Sequence, residues 1–221
     1  MFVSSKYEFL FVHIPKAAGS TVSIMFKDSH GLSGDERADP EPKIHHMSAK
    51  EIIENLPECT SFFKFAITRN PFDRLLSGYS EFKNEWYRHN SDGRHPWPTN
   101  MDQYSNFIEF CEDLKNSEWI QDPHFVPQSS LLYDGDKLLV DYLAKQENLY
   151  DDMLKIKDKI GVNEETLKHY ILHQDHRRTR GIYSKGHCSS YYTSSTRKIV
   201  EEIYHLDFVN FGYKWEDSDE K

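Results

Sequence analysis

The sequence is short of cysteine, of long apolar runs and of positive charge, and each shortage removes a class of protein. Its three cysteines, Cys59, Cys111 and Cys188, are widely spaced, odd in number and without a C-x-x-C pair. Neither a zinc ribbon nor a dithiol redox site is supported, and three reduced thiols in a reducing compartment is the plain reading. The N-terminal Phe2-Val3-Ser4-Ser5-Lys6-Tyr7-Glu8 precedes any apolar stretch. No signal-peptide core and no bilayer-length span follows it, so a cytoplasmic chain with no membrane segment is expected; a domain trimmed of its anchor reads the same way. Asp and Glu total 36 against 27 Lys and Arg, a net charge of −9. Nucleic-acid binders draw affinity from phosphate neutralisation, so no nucleic-acid partner is expected.

What the chain does have is material for a core. At 221 residues, 38% hydrophobic and 14% aromatic, it is neither low-complexity nor disordered. One domain over residues 1–215 is expected, with a solvated acidic tail at 216–221. Histidine is in excess, with twelve residues.

Phe9-Leu10-Phe11-Val12-His13-Ile14 is nearly continuous in apolar residues and closed by Pro15, the pattern of a strand buried in a parallel sheet. Lys16-Ala17-Ala18-Gly19-Ser20-Thr21 follows, then an apolar helical run from Val22, with Ser20 and Thr21 as helix-start residues. Residues 28–43 read as an exposed loop, and Ser48 is placed to cap a helix over 49–56. A second buried strand is predicted over 62–68. Beyond Arg69, Asn70 is placed to cap and Pro71 to open a helix whose inner face is Phe72, Leu75, Leu76, Tyr79 and Phe82. A helix carrying Tyr104, Phe107, Ile108, Cys111 and Leu114 is predicted next. Strands over 130–133 and 137–143, joined through an Asp134-Gly135 hairpin turn, should follow, then helices near 148–160, 164–172 and 194–205.

The junction at Lys16–Thr21 gathers free backbone N–H groups and the positive end of a helix, which together attract phosphate. Gly19 and the two alanines, Ala17 and Ala18, let a ligand approach the backbone; Lys16 adds a point charge, and Ser20 and Thr21 add hydroxyls. An ordinary strand–helix turn with a surface lysine fits the same residues. The order is not G-x-x-x-x-G-K-[ST], because the lysine precedes the glycine. A transferring phosphoryl group needs Mg²⁺ to offset its extra charge. A sulfuryl group carries one negative charge, which lysine and amides can meet without a metal. Arg69 leaves the C-terminal end of the second strand, where open α/β sheets bind ligands, and with Ser77 in the next helix it suits a terminal phosphate dianion. Arg74 reads as a surface residue paired with Asp73 or a neighbour.

With these residues in view, "FVHIPKAAGSTV" and "FKFAITRNPFDRLLSGY" resemble the two nucleotide motifs of the carbohydrate sulfotransferases of the family-2 type, a group that includes Golgi enzymes acting on heparan and chondroitin and microbial relatives. "HFVPQ" at 124–128, "KQENLYDDM" at 145–153 and "YYTSSTRKIVEEIYHLDFVNFGY" at 191–213 extend the similarity along nearly the whole chain. The resemblance implies a P-loop-NTPase-like three-layer α/β fold with a mainly parallel central sheet flanked by helices. It implies 3′-phosphoadenosine 5′-phosphosulfate as donor and 3′,5′-bisphosphoadenosine as product. Lys16, Ala17, Ala18, Gly19, Ser20 and Thr21 would cradle the 5′-phosphosulfate, and Arg69 and Ser77 would hold the 3′-phosphate. A Golgi-lumen domain trimmed of its anchor is the alternative location.

Sulfuryl transfer to a hydroxyl needs a base, and histidine titrates in the right range. His46 stands before a short helix with an acidic-apolar pair, Glu51-Ile52, as the base does in the similar heparan 6-O branch; His45 is the alternative by a one-residue slip. Lys16 has a second expected duty, stabilising the leaving phosphate. His124 reads equally as a site or a structural histidine, Glu147 as an anchor for the following helix, and His13 as a satisfied core histidine. His169, His173 and His176 lack an H-E-x-x-H pattern and a carboxylate ligand, so no metal is expected. Arg177, Arg178, Arg180 and Lys185 form a local basic stretch that suits the 3′-phosphate, an anionic acceptor or plain solvent. The expected activity is sulfuryl transfer to a carbohydrate or other small hydroxyl acceptor. Its rivals are a nucleotide-phosphate kinase on the same fold and a non-catalytic nucleotide- or sugar-binding relative.

Overall fold

In the computed structural model Phe9, Leu10, Phe11 and Val12 are all fully enclosed, so this strand is covered on both faces. The structure describes residues 1–30, 47–83, 101–173 and 188–215, which form two compact units: 1–69 with 128–176, and 70–127 with 177–221. Among the described residues no helix is long and apolar enough to cross a membrane.

The first unit is built on a four-stranded sheet. Its strands are β1 (Phe2–Ser4), β2 (Phe9–Val12), β3 (Phe63–Thr68) and β6 (Tyr142–Lys145), in the order β1-β2-β3-β6. β2, β3 and β6 are parallel, with Val12 opposite Ala66 and Thr68 opposite Lys145, whereas β1 is an antiparallel edge. β2 and β3 are neighbours, so the loops after both open at the same edge. Helices α1 (Gly19–Ser29) and α2 (Ala49–Asn55) belong to this unit. Phe26 of α1 sets the core, with its ring 4.7 Å from Phe2, 4.9 Å from Phe9 and 6.2 Å from Phe65. α2 opens on a capping box in which Ser48 Oγ accepts from Glu51 N–H while the Glu51 carboxylate accepts from Ser48 N–H.

Residues 128–145 depart from the expected pair of strands. Gln128–Leu132 is a short helix, α5, which places Leu131 and Leu132 in the core rather than on alternate faces. The hairpin shrinks to two pairs between β4 (Tyr133–Asp134) and β5 (Lys137–Leu138), across a turn with Gly135 at φ +59°. The chain then leaves the ribbon because Asp141 clips it to β3. The Asp141 N–H donates to the Lys64 carbonyl at 2.8 Å, and its carboxylate accepts from Lys64 N–H at 2.7 Å. Beyond β6 come α6 (Leu149–Ile156) and α7 (Glu164–Leu167), the latter running into a π-helical turn at Lys168–His173. The expected helices near 148–160 and 164–172 are thus shorter in α-form.

The second unit is helical among its described residues: α3 (Pro71–Lys83), α4 (Phe107–Asp113), α8 (Ser194–Ile203) and α9 (His205–Phe211). Asn70 Oδ1 accepts from Phe72 N–H at 3.1 Å, so Asn70 and Pro71 start α3 as their types dictate. α4 starts later than expected because Asn106 caps it, leaving Tyr104 before the helix but in the core. The run over 194–205 breaks at Tyr204, whose hydroxyl donates to the Phe125 carbonyl at 2.6 Å. Arg74 is not a surface residue. It is 1% exposed, with Nη1 donating to the Val126 carbonyl at 2.8 Å and Nη2 to the Pro123 carbonyl at 2.9 Å. Cys59, Cys111 and Cys188 are all buried free thiols, and burial pushes the Cys111 thiol well up.

Arg74→Leu keeps the buried volume but strips the donors from two half-buried carbonyls. It is expected to cost about 2–4 kcal/mol, read by chemical denaturation of the whole chain.

Candidate functional site

The first unit's site is built where β2, β3 and β6 end. The loop from β2 into α1 does not start the helix on Ser20 or Thr21, as the sequence suggests. Ala18 is the N-cap residue, left-handed at φ 59°, with no side-chain cap, and Lys16 is left-handed too at φ 67°. A left-handed non-glycine residue carries strain of about 1–3 kcal/mol, which the surroundings must offset. The strain buys an arrangement: the Ala17 N–H closes the turn onto the Ile14 carbonyl at 3.3 Å, and the chain then enters α1 with its first amides facing the loop's open side, a concave nest of the kind that suits anions. The first helical bond runs from Val22 N–H to the Ala18 carbonyl, so the amides of Gly19, Ser20 and Thr21 have no helical partner. They point out of the end of an eleven-residue helix whose dipole favours negative charge.

Arg69, directly after β3, holds this loop. Its Nη1 donates to the Lys16 carbonyl at 3.1 Å. Arg69 is held in turn by Gln128, the first residue of α5. Arg69 N–H donates to Gln128 Oε1 at 2.9 Å, and Gln128 Nε2 donates to the Arg69 carbonyl at 2.8 Å. Gln128 is wholly buried. Its side-chain amide therefore satisfies an enclosed peptide on both sides, as a neighbouring strand would. Sequence reasoning quoted Gln128 only within a longer match; the signal for its role is a long-range pairing that no local pattern carries.

Gly19 is required sterically. A Cβ there would fall 2.0 Å from His13 Cδ2 and Nε2, so the histidine ring occupies the place of a side chain. His13 is half-buried rather than a core residue, and its ring stacks on Phe11.

The turn after β6 is anchored by Asp152 of α6; Glu147 is exposed. Asp152 of α6 accepts from Lys145 N–H at 2.8 Å and from Lys155 Nζ at 2.7 Å, with the Tyr142 hydroxyl 3.3 Å away. Burial pushes the Asp152 carboxyl up, but the Lys155 ammonium, the Lys145 amide and the Tyr142 hydroxyl outweigh it and hold the group below the usual carboxylate range. A depressed native pKa adds stability above the unfolded value and loses it on acidification. Wild type should therefore unfold at higher temperature than Asp152→Asn at pH 7, the gap closing as pH falls through about 4 and below.

The remaining candidates are dispersed. Ser77 lies in α3, half-buried, in the second unit. His124, also in the second unit, is buried, and both its N–H and its Nδ1 lie 2.8 Å from Asp122 Oδ1. That pairing fits the structural reading of His124. His169 is exposed with its ring on Tyr170. His45, His46, His176 and the basic stretch with Arg177, Arg178, Arg180 and Lys185 lie outside the described residues. Among the described residues no three His, Cys, Asp or Glu side chains converge as a metal site would need.

Comparison with known proteins bears on the whole chain. Carbohydrate sulfotransferase 10 of Xenopus laevis is 23% identical over 97% of this chain, and this chain matches 67% of that protein. The Homo sapiens protein of the same name is 22% identical with the same coverage. An uncharacterised protein of Archaeoglobus fulgidus is 30% identical over 47% of this chain and 72% of its own length. The model of a sulfotransferase family, Sulfotransfer_2, matches residues 1–214, and with that match this chain belongs to the sulfotransferase family.

Proposed function

We propose that this chain transfers a sulfuryl group from 3′-phosphoadenosine 5′-phosphosulfate to a hydroxyl of a carbohydrate, on a P-loop-NTPase-like three-layer fold. The observation that carries this is the anion nest itself. A lysine and three unpartnered helix amides stand at the end of β2, clamped by an arginine from the end of β3. Family membership narrows the anion to a sulfate donor, and the names of the relatives support a carbohydrate acceptor.

In this reading the loop of residues 16–21 receives the 5′-phosphosulfate, with the Gly19, Ser20 and Thr21 amides donating to it. The acceptor oxygen attacks sulfur in line, and the bond from sulfur to the bridging oxygen breaks with its electron pair left on the 5′-phosphate. Lys16 is assigned to stabilise the charge that gathers there, an electrostatic role that needs no proton transfer. Arg69 spends one donor on the Lys16 carbonyl, and a guanidinium has further donors to offer the 3′-phosphate. Ser77 is the proposed hydroxyl partner of that phosphate. His46 takes the acceptor proton, with His45 as the alternative. A singly charged sulfuryl group needs no divalent ion, so no metal is assigned.

The reading is tested by binding and by turnover. 3′,5′-Bisphosphoadenosine should raise the melting temperature in the presence of EDTA, while ATP with Mg²⁺ should not; the reverse pattern contradicts the reading and favours a kinase. Lys16→Ala is expected to lower donor turnover about a hundredfold or more while changing bisphosphoadenosine affinity only a few-fold. A loss confined to affinity would remove the leaving-group role. His46→Ala should abolish transfer and leave bisphosphoadenosine binding intact; unchanged transfer shifts the base to His45 or another group.

A further inference from the structure

One row of side chains on β2 is continued, one residue past the strand, by a histidine where packing alone asks for another apolar group. Phe9 and Phe11 lie against Phe26 of α1, with ring centroids 4.9 and 6.4 Å away. His13, two residues on, stacks on Phe11 at 6.0 Å and 19°. Strand alternation keeps residues 9 and 11 on one face, and the stacking puts the His13 ring on that face too. α1 runs back along that face, so its later residue Phe26 meets the phenylalanines and its first residue, Gly19, meets His13.

The placement of the ring follows from helix geometry. Every Cα–Cβ bond of an α-helix tilts toward the helix N-terminus. A Cβ on Gly19 would fall 2.0 Å from both Cδ2 and Nε2 of His13. The Nε2 edge therefore stands at the N-terminal end of α1, beside the Gly19, Ser20 and Thr21 amides that no helical carbonyl takes. Phe9 and Phe11 are fully enclosed, whereas His13 is only half-buried. An imidazole nitrogen and a nest of amides thus share one small space.

We infer that His13 contacts the donor, its Nε2–H donating a hydrogen bond to an oxygen of the transferring sulfuryl group and aligning that group for in-line attack. The inference rests on the donor reading above. His13 gives no proton away: the acceptor proton goes to the base, the electron pair of the broken S–O bond stays on the 5′-phosphate, and the sulfuryl group leaves with the acceptor. Gly19 is then required because any side chain would push the imidazole from this post, over and above the ligand's own need for room.

The contact predicts a difference between donor and product, since bisphosphoadenosine lacks the sulfuryl group. His13→Phe keeps a ring against Gly19 and Phe11 but has no donor. Calorimetry is expected to show phosphosulfate affinity about tenfold weaker in this variant and bisphosphoadenosine affinity within about threefold of wild type. His13→Gln, whose amide nitrogen reaches the place of Nε2, should keep more of the preference than His13→Asn; this contrast decides the matter if the Phe variant does not fold. Equal preference in wild type, Gln and Asn variants, or a Phe variant that weakens both ligands alike, overturns the role of His13 and leaves the donor site standing. A wild-type chain that binds neither nucleotide overturns the donor site itself, and this role with it.

Discussion

A lysine in the left-handed region stays there only if its loop is held in place. In this chain the Ala17 N–H closes the turn onto the Ile14 carbonyl, and the Arg69 guanidinium ties it to β3 by donating to the Lys16 carbonyl. That bond needs Arg69 to leave β3 at one height and angle. The sheet supplies the height, since β2 and β3 pair in parallel up to Val12 and Ala66. Gln128 supplies the angle by bonding both sides of the Arg69 peptide. Removing either support would free the loop to relax toward ordinary turn geometry, in which successive amides no longer face one ligand.

The same arrangement would let an acidic protein take up the proposed anionic donor. A net charge of −9 repels anions at long range, but screening confines that repulsion to roughly 8 Å in physiological salt. Inside that distance the unpartnered amides, the helix dipole, Lys16 and Arg69 dominate. Such a site favours a compact anionic nucleotide over a long polyanion held along an extended surface.

Much of the architecture was legible because it rests on local chemistry. The apolar run closed by Pro15 is a buried strand, Ser48 with Glu51 is a capping box, and Asn70-Pro71 opens α3. The misread parts rest on contacts between residues far apart in sequence. Gln128–Leu132 is helical where a strand is expected, and its first side chain bonds Arg69, fifty-nine positions away. Arg74 reads as a surface cation but is buried because Pro123 and Val126 present carbonyls to it. The left-handed Lys16 and Ala18 carry no glycine to announce them. The strand ends and the small-residue loop could be found from residue types; the clamp that shapes the loop could not.

The central claim is sulfuryl transfer from a nucleotide held in this nest. It is met most directly by incubating the chain with 3′-phosphoadenosine 5′-[³⁵S]phosphosulfate and a panel of glycans, alcohols and amines in EDTA. The account expects label to move to a carbohydrate hydroxyl as bisphosphoadenosine forms in equal amount. Donor that binds tightly while no label reaches any acceptor would contradict it and make the chain a binding relative of the enzymes it resembles.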